Sequence, residues 1–83
     1  MKDPEFRAEY EPHRPRMDLA MTLAEARRRA GLTQAQLAAR MKTSQAAVAR
    51  IESGHSGPKW ETIERYAQAL GARPVVRLLE AAE

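Results

Sequence analysis

Residues 33–54 read TQAQLAARMKTSQAAVARIESG, and this stretch decides the fold. Thr33 and Ser44 are of the residue types that cap helix N-termini, so each predicts the start of a short helix. Thr33 and Gln36 also fit the T-x-x-Q capping-box pattern. The first of the two helices is predicted to end near Met41, which leaves only KTS as the connection. A connection that short brings two helices together at a steep angle, so the stretch predicts a helix-turn-helix.

The second helix of this motif has an inward and an outward face. Ala38 on the preceding helix is small enough to allow a close approach, and Val48 and Ile51 are predicted to point into the core. Gly54 ends the helix near Ser53. The outward face carries Gln45, Ala46, Ala49 and Arg50. These four side chains would reach base edges if the helix entered the major groove of DNA.

The flanking sequence predicts two more helices and one strand. A helix is expected over residues 18–30, with Asp18 as its N-cap, and another over residues 59–70. Val75–Leu79 is apolar and rich in β-branched residues, which predicts a short strand. On the last helix, the expected core or dimer contacts are Trp60, Ile63 and Tyr66. We therefore predict an all-α, four- to five-helix domain in three segments: an N-terminal arm (1–16), the helix-turn-helix domain (17–71) and a C-terminal strand and tail (72–83).

The composition excludes several classes of function. The 83 residues contain no cysteine, and His13 and His55 have no ligand-like spacing, so no metal site is expected. There is no Ser/His/Asp grouping and no phosphate-binding loop, so neither an enzyme nor a cofactor is expected. The chain has no apolar run long enough to span a membrane and no secretion signal, which predicts a cytoplasmic location.

The net charge of +3 is distributed unevenly along the chain. Residues 1–16 hold four basic and four acidic side chains, whereas residues 17–83 hold ten basic and seven acidic ones. The whole excess of positive charge therefore lies in the helical part of the chain. A modest basic excess of this kind suits a polyanionic partner such as nucleic acid.

The motif GLTQ…LA…M…TSQ…V.RIE.G resembles the lambda-repressor/Cro type of helix-turn-helix domain, the XRE family, over roughly residues 19–71. The resemblance implies that Gln34 contacts a DNA phosphate and supports Gln45, which forms paired hydrogen bonds with adenine. An amide suits adenine because it offers one donor and one acceptor. Arg50 would read guanine or contact a phosphate. The alternative is that both glutamines are simply solvated and that Arg50 forms a solvated pair with Glu52.

The same family pairs an arginine of the first helix with a glutamate late in the recognition helix, which implies an ion pair between Arg27 and Glu52. The phosphate contacts that the resemblance implies are Thr33, Gln34, Lys42, Thr43 and Lys59. The family usually has glycine in place of Lys42, and a left-handed backbone there would cost a lysine on the order of 1 kcal/mol. Lys59 stands where serine or aspartate caps are common, so the last helix is expected to be less well capped.

The flanks DPEFRAEYE and LGARPVVRLLE are similar to those of HigA-type antitoxins. This similarity implies a homodimer that represses its own operon at a palindromic operator and holds a small toxin inactive, with a RelE/HigB-like RNA nuclease as the toxin. Phe6 and Tyr10 would contact the toxin or pack on the domain itself. Dimerisation would use the strand residues Val75, Val76, Leu78 and Leu79. The alternative is a stand-alone transcriptional repressor with no toxin partner.

Overall fold

The computed structural model describes residues 14–78 of the chain. These residues form four helices, which are α1 (Arg14–Arg29), α2 (Gln34–Met41), α3 (Gln45–Ile51) and α4 (Trp60–Ala69). The prediction of an all-α fold with a helix-turn-helix is confirmed for this part of the chain. Phe6, Tyr10 and Leu79, which the sequence analysis assigned to partner contacts, lie outside the described residues.

Helix α1 begins earlier than the sequence predicts. The assignment of Asp18 as its N-cap is wrong, because the helix already includes Arg14 and so takes up three residues of the predicted arm. Pro15 is compatible with this start, since the first turn of a helix needs no intrahelical N–H donor. The additional turn lies against the loop after α3, where a Cβ added to Gly54 would come within 3.1 Å of Met17 Cγ. Gly54 also has a φ of +82°, so both the close approach and the backbone favour glycine there.

Side-chain caps start both helices of the motif. Thr33 Oγ1 accepts from the Gln36 backbone N–H at 3.0 Å, and Gln36 Oε1 accepts from the Thr33 N–H at 2.9 Å. Ser44 Oγ accepts from the Ala47 N–H at 3.1 Å. The predicted capping box and both predicted helix starts are therefore confirmed. Helix α4 follows Lys59 without a side-chain cap, as the sequence predicts.

The turn between α2 and α3 depends on a left-handed residue. Lys42 has φ 59° and ψ 47°, and within residues 14–78 it is the only non-glycine residue with a positive φ. The backbone N–H groups of Lys42 and Thr43 return to the carbonyls of Ala39 and Ala38 at 3.1 and 2.9 Å. These bonds satisfy carbonyls at the end of α2. The lysine therefore occupies a conformation that favours glycine.

Replacing Lys42 with glycine is expected to raise the free energy of unfolding by about 0.5–1 kcal/mol, because glycine adopts a positive φ without a clash at Cβ. Urea denaturation followed by circular dichroism measures the change. Lys42→Ala is the matched control, since alanine also removes the amino group but keeps the Cβ. Equal stability of the two variants would mean that the left-handed backbone carries no cost at this turn.

The core lies where the four helices meet. The fully buried large side chains are Leu37, Val48 and Tyr66, one each from α2, α3 and α4, and Leu23 of α1 packs with them. Ala38 is also buried, in agreement with the close approach that its small side chain allows. The three predicted core or dimer contacts on α4 differ, since Ile63 and Tyr66 are buried whereas Trp60 is 44% exposed.

Two arginines connect the ends of α2 and α4 in a reciprocal way. Arg65 of α4 donates to the Met41 carbonyl at the end of α2 at 2.7 Å. Arg40 of α2 donates to the Ala69 carbonyl at the end of α4 at 3.1 Å. Each guanidinium satisfies a helix-terminal carbonyl and lies where the helix dipole favours a cation. Both arginines therefore serve the fold itself.

The strand predicted over Val75–Leu79 is not shown in the single chain. Residues 72–78 have no regular structure, and residues 14–78 contain no strand with which they could pair. A strand forms only where another strand accepts its backbone hydrogen bonds, so pairing with a second copy of the chain stays a prediction. Val75, Val76 and Leu78 are 77%, 63% and 92% exposed. These apolar side chains are consequently open to contact with another molecule.

Candidate nucleic-acid interface

The outward face of α3 presents the four side chains that the sequence assigns to base contacts. Gln45, Ala46, Ala49 and Arg50 are all exposed, and their spacing along the helix keeps them on one side. Val48 on the opposite side is fully buried. The side-chain cap at Ser44 fixes the first turn, so Gln45 begins the helix at a defined position.

The charge around this face has one sign. Residues 33–51, which span α2, the turn and α3, contain three basic residues and no acidic one. Arg40 is engaged with Ala69, whereas the charged ends of Lys42 and Arg50 have no ion pair or hydrogen bond within residues 14–78. Lys59 is exposed at the start of α4 and is likewise unpaired in the described part of the chain. A surface of this kind attracts a polyanion.

Below this face, Glu52 joins α3 to α1. Arg27 Nε donates to Glu52 Oε2 at 2.7 Å, and Arg27 Nη2 donates to Glu52 Oε1 at 3.0 Å. The pair is bidentate, which is the strongest geometry for an arginine and a carboxylate. The two side chains are 11% and 5% exposed, so little solvent screens them. Arg27 also donates to the Leu32 carbonyl at 2.8 Å. Glu52 is therefore paired with Arg27 and not with Arg50.

Two further donors converge on the same carboxylate. Gln34 Nε2 at the start of α2 donates to Glu52 Oε1 at 3.0 Å. The hydroxyl of Tyr66 on α4 lies 2.5 Å from Glu52 Oε2 and 2.9 Å from the Leu23 carbonyl. A phenol has a single proton, and the shorter distance to a charged acceptor indicates donation to Glu52. Glu52, directly after α3, thus links α1, α2 and α4 to the end of the candidate recognition helix.

The environment of this network favours a charged Glu52. Burial alone would raise the pKa of Glu52, but hydrogen bonds from Arg27, Gln34 and Tyr66 and the charge of Arg27 hold it below its ordinary value. The hydrogen bond to Glu52 raises the pKa of Arg27 against the effect of burial. Burial, followed by the hydrogen bond and charge of Glu52, raises the pKa of Tyr66. The carboxylate, the guanidinium and the phenol therefore keep their neutral-pH protonation states.

The residues assigned to phosphate contacts lie at the helix starts and in the turn. Thr33 and Lys42 are exposed, and Thr43 is half-buried. Gln34 is also half-buried, and no hydrogen bond joins it to Gln45 within residues 14–78, where its amide donates to Glu52 instead. One amide N–H of Gln34 and its carbonyl oxygen have no hydrogen-bond partner in the described part of the chain.

Sequence reasoning missed the positioning role of Tyr66. The sequence predicted that Tyr66 is a core or dimer contact, and it is buried in the core. A tyrosine in that position also predicts a polar group next to its hydroxyl. A buried tyrosine hydroxyl needs a hydrogen-bond partner, so a polar group had to lie near it. The contact between Gln34 and Glu52 had no such signal, because nothing local relates the start of α2 to the end of α3.

Residues 14–78 contain neither a candidate metal site nor a candidate membrane span. These residues bring together no group of histidine, aspartate and glutamate side chains that could hold a metal ion. Among the described helices, none combines the length and the apolar character needed to cross a membrane.

Comparison with known proteins agrees with this geometry. A family described as a helix-turn-helix domain matches residues 18–80. Two relatives named Antitoxin HigA1, from Mycobacterium tuberculosis strains CDC 1551 / Oshkosh and ATCC 25618 / H37Rv, are each 37% identical over 71 residues. The match covers 86% of this chain and 48% of each relative, so the chain spans about half the length of these proteins. No solved structure gives a significant match.

Proposed function

The chain belongs to the XRE type of the helix-turn-helix family, and on that premise we propose that it binds operator DNA with α3 in the major groove. The observation that carries this proposal is the division of α3 into a free face and an anchored face. Gln45 and Arg50 are exposed on the first, while Val48 is fully buried on the second. A helix held in this way can enter a major groove while the rest of the domain stays packed.

Each exposed side chain of α3 has a matching partner in the groove. The amide of Gln45 can pair with N6 and N7 of adenine, and the guanidinium of Arg50 can pair with O6 and N7 of guanine. Arg50 can also reach a phosphate instead. Ala46 and Ala49 are small and apolar, and such side chains contact the methyl group of thymine. The exposed face of α3 can therefore contact adenine, guanine and thymine through different side chains.

Contacts with the DNA backbone would fix the register of α3. We assign these contacts to the side chains of Thr33, Gln34, Lys42, Thr43 and Lys59 and to the backbone N–H groups at the start of α2. Gln34 can donate its free amide N–H to a phosphate while its other N–H remains on Glu52. The same side chain would then tie the phosphate contact to the position of α3.

Replacing Gln45 with alanine is expected to weaken operator binding by about 1–3 kcal/mol and to relax the preference at one base pair. Fluorescence-anisotropy titrations, with an operator selected from random duplexes and with single-base variants of it, measure both effects. Gln68→Ala is the matched control, because Gln68 is an exposed glutamine on α4 outside the proposed interface. Wild-type affinity and wild-type sequence preference in Gln45→Ala would remove Gln45 from the proposed base contacts.

We further propose that two copies of the chain bind a palindromic operator as a homodimer. The two α3 helices would occupy major grooves one helical turn of DNA apart, roughly 34–36 Å. Each copy would then make the same base and phosphate contacts in its own half-site. Binding stoichiometry on a full operator and on a half-site is the direct measurement of this arrangement.

The second part of the proposed function is inhibition of a protein toxin. Two observations support it: both named relatives are called Antitoxin HigA1, and the flanks of the helix-turn-helix are similar to those of such antitoxins. The toxin we propose is a RelE/HigB-like RNA nuclease. The chain would then act by binding, as a regulator that performs no chemistry of its own.

A stand-alone transcriptional repressor is the second candidate function. The observation that favours it is the family match over residues 18–80, because a helix-turn-helix domain accounts for DNA binding alone. A DNA-binding domain of one type can be shared by proteins with different functions. Both candidate functions include binding to operator DNA, and they differ only in whether the chain also inhibits a toxin.

Co-expression with the product of the neighbouring gene separates the two candidates. If the chain is an antitoxin, the neighbour alone should arrest growth, and the tagged chain should restore growth and co-purify with it. A neighbour that is harmless and does not co-purify would leave the repressor as the function.

A further inference from the structure

We propose that a cleft between α3 and α4 is a site for one phosphate group; that the backbone of the operator supplies this phosphate rests on the proposed DNA binding. The cleft encloses about 290 Å³ and is bordered by the end of α2 and by the loop before α4. Its polar lining residues are Thr43, Arg50, Ser56, Thr62 and Arg65. Ser56, Thr62 and Arg65 have no part in the DNA contacts assigned above, so the cleft adds a new set of residues to the interface.

The lining of the cleft is positively charged. Its ionisable residues are the two arginines, Arg50 and Arg65, and it includes no carboxylate. Glu61 lies one turn before Arg65 on α4, but it is not part of the lining and forms no ion pair with Arg65 within residues 14–78. Those residues contain twelve basic and five acidic side chains, so the charge of the whole domain also favours an anion in the cleft.

The cleft is lined by hydrogen-bond donors that have no acceptor. The hydroxyls of Thr43, Ser56 and Thr62 and the guanidinium of Arg50 form no hydrogen bond within residues 14–78. Arg65 uses Nη2 to donate to the carbonyl at the end of α2 at 2.7 Å, which holds its guanidinium in place and leaves its other N–H groups available. A side chain that is already held loses less entropy when a ligand binds. Two guanidinium groups and three hydroxyls suit a phosphate, whose oxygens accept from several directions.

The cleft distinguishes the two roles that were open for Arg50. Ala47, Arg50 and Ile51 share one stripe of α3, and all three line the cleft on the side of α4. The other outward residues of α3, which are Gln45, Ala46 and Ala49, do not line it. Arg50 therefore lies at the edge of the outward face. Because the backbone strands run along the two sides of a major groove, a cation at the edge of a recognition helix meets a phosphate and not a base. The reading of bases then falls to the other three residues.

The test changes the protein and the DNA together. Each backbone phosphate of the selected operator is replaced in turn by a neutral methylphosphonate, and anisotropy titrations give the affinity of wild type, Arg50→Gln and Arg65→Gln for every duplex. Arg40→Gln is the matched control, because Arg40 also donates to a helix-terminal carbonyl and does not line the cleft. Thr62→Val is added because valine has a similar shape and lacks only the hydroxyl, so this variant keeps the bond from Arg65 to α2.

We expect Arg50→Gln and Arg65→Gln each to weaken binding to the unmodified operator about tenfold or more, because each removes charged hydrogen bonds to a phosphate. Both losses should disappear at the same methylphosphonate position of the half-site, and the double variant should bind little more weakly than either single variant. Thr62→Val should show a smaller loss at that same position, and Arg40→Gln should bind every duplex nearly as wild type does. Arg50→Gln should keep the wild-type preference among single-base variants of the operator. Melting curves establish which variants are folded, and Arg50→Gln and Thr62→Val carry the comparison if Arg65→Gln is not.

Two results on DNA would overturn the phosphate site. The losses could disappear at different methylphosphonate positions or at none, or Arg50→Gln could relax the preference at one base pair, which would make Arg50 a base contact. If the chain selects no duplex at all, the proposed DNA binding fails, and inorganic phosphate becomes the probe of the cleft. Shifts of the side-chain Nε–H signals of Arg50 and Arg65 on adding phosphate, with none at Arg40, would then keep the site and make a free phosphate compound its ligand. Unchanged signals at both arginines would overturn the site as well.

Discussion

Replacing Glu52 with glutamine is expected to lower the free energy of unfolding by about 2–4 kcal/mol, somewhat below the range for losing one partner of a fully buried ion pair, because Arg27 and Glu52 are partly buried. Four hydrogen bonds end on the two oxygens of this carboxylate, and two of them come from the guanidinium of Arg27. A glutamine of the same shape has one oxygen, so its amide nitrogen must face an N–H of Arg27. The substitution therefore leaves the partly buried cation of Arg27 without its charged partner. Urea denaturation at neutral pH measures the loss.

Two comparisons make this result specific to the network. Glu25→Gln removes an exposed carboxylate from α1, and such a surface change is expected to stay within about 0.5 kcal/mol of wild type. The second comparison is the pH dependence. Because the pKa of Glu52 is lowered by folding, its stabilisation is complete above the ordinary glutamate pKa of about 4.3 and is lost as the pH falls through the lower folded value. The difference in the free energy of unfolding between wild type and Glu52→Gln should therefore become smaller below about pH 4. A difference that stays constant in acid would mean that the charge of Glu52 does not cause the stabilisation.

Operator affinity is expected to fall about a thousandfold between 50 and 200 mM salt, because each neutralised phosphate contributes a slope of about −0.9 in a double-logarithmic plot. In each copy these contacts are Lys42, Lys59 and, in its phosphate-contacting alternative, Arg50, none of which has an ion pair within residues 14–78. Two copies on a palindrome give roughly six such contacts, hence a slope near −5. Anisotropy titrations over this range of salt give the slope directly.

The slope of the plot of affinity against salt also gives the number of phosphate contacts. Lys42→Gln should make it less steep by about two, one for each copy on the operator. Arg28→Gln is the matched control, because it also removes one exposed cation, from a position of α1 with no proposed phosphate contact. A response to salt that is nearly flat would remove the phosphate contacts from the proposal, and half the expected slope would indicate a single bound copy.

The parts of the fold that depend on local chemistry could be predicted from the sequence. Thr33 and Ser44 cap α2 and α3 through bonds to residues three positions away, so their signal lies within one turn. Lys42 stood out because the family that the sequence resembles usually has glycine at this turn. The division of α3 into inner and outer faces follows from helical spacing, and the burial of Val48 agrees with it.

The parts that depend on distant partners could not be predicted in this way. Residues 75–78 have a strand-like composition, but a strand also requires another strand, which local sequence cannot supply. The first turn of α1 places Met17 against Gly54, 37 positions further along the chain, and nothing local signals that contact. The contact between Gln34 and Glu52 joins residues 18 apart, and only the assembled helices reveal it. The Arg27–Glu52 pair beneath α3 was predicted from the family resemblance, whereas the contacts of Gln34 and Tyr66 with Glu52 were not.

The position of Glu52 has a consequence for local unfolding. Helix α3 has 7 residues, and an isolated helix of that length is unstable in water. A helix this short would ordinarily open many times during the lifetime of the folded domain, and its amide protons would exchange early. The carboxylate that follows α3 is bound to side chains of the other three helices, so releasing the end of α3 breaks its contacts with Arg27, Gln34 and Tyr66. The amide protons of the proposed DNA-binding surface should accordingly exchange nearly as slowly as those of the core.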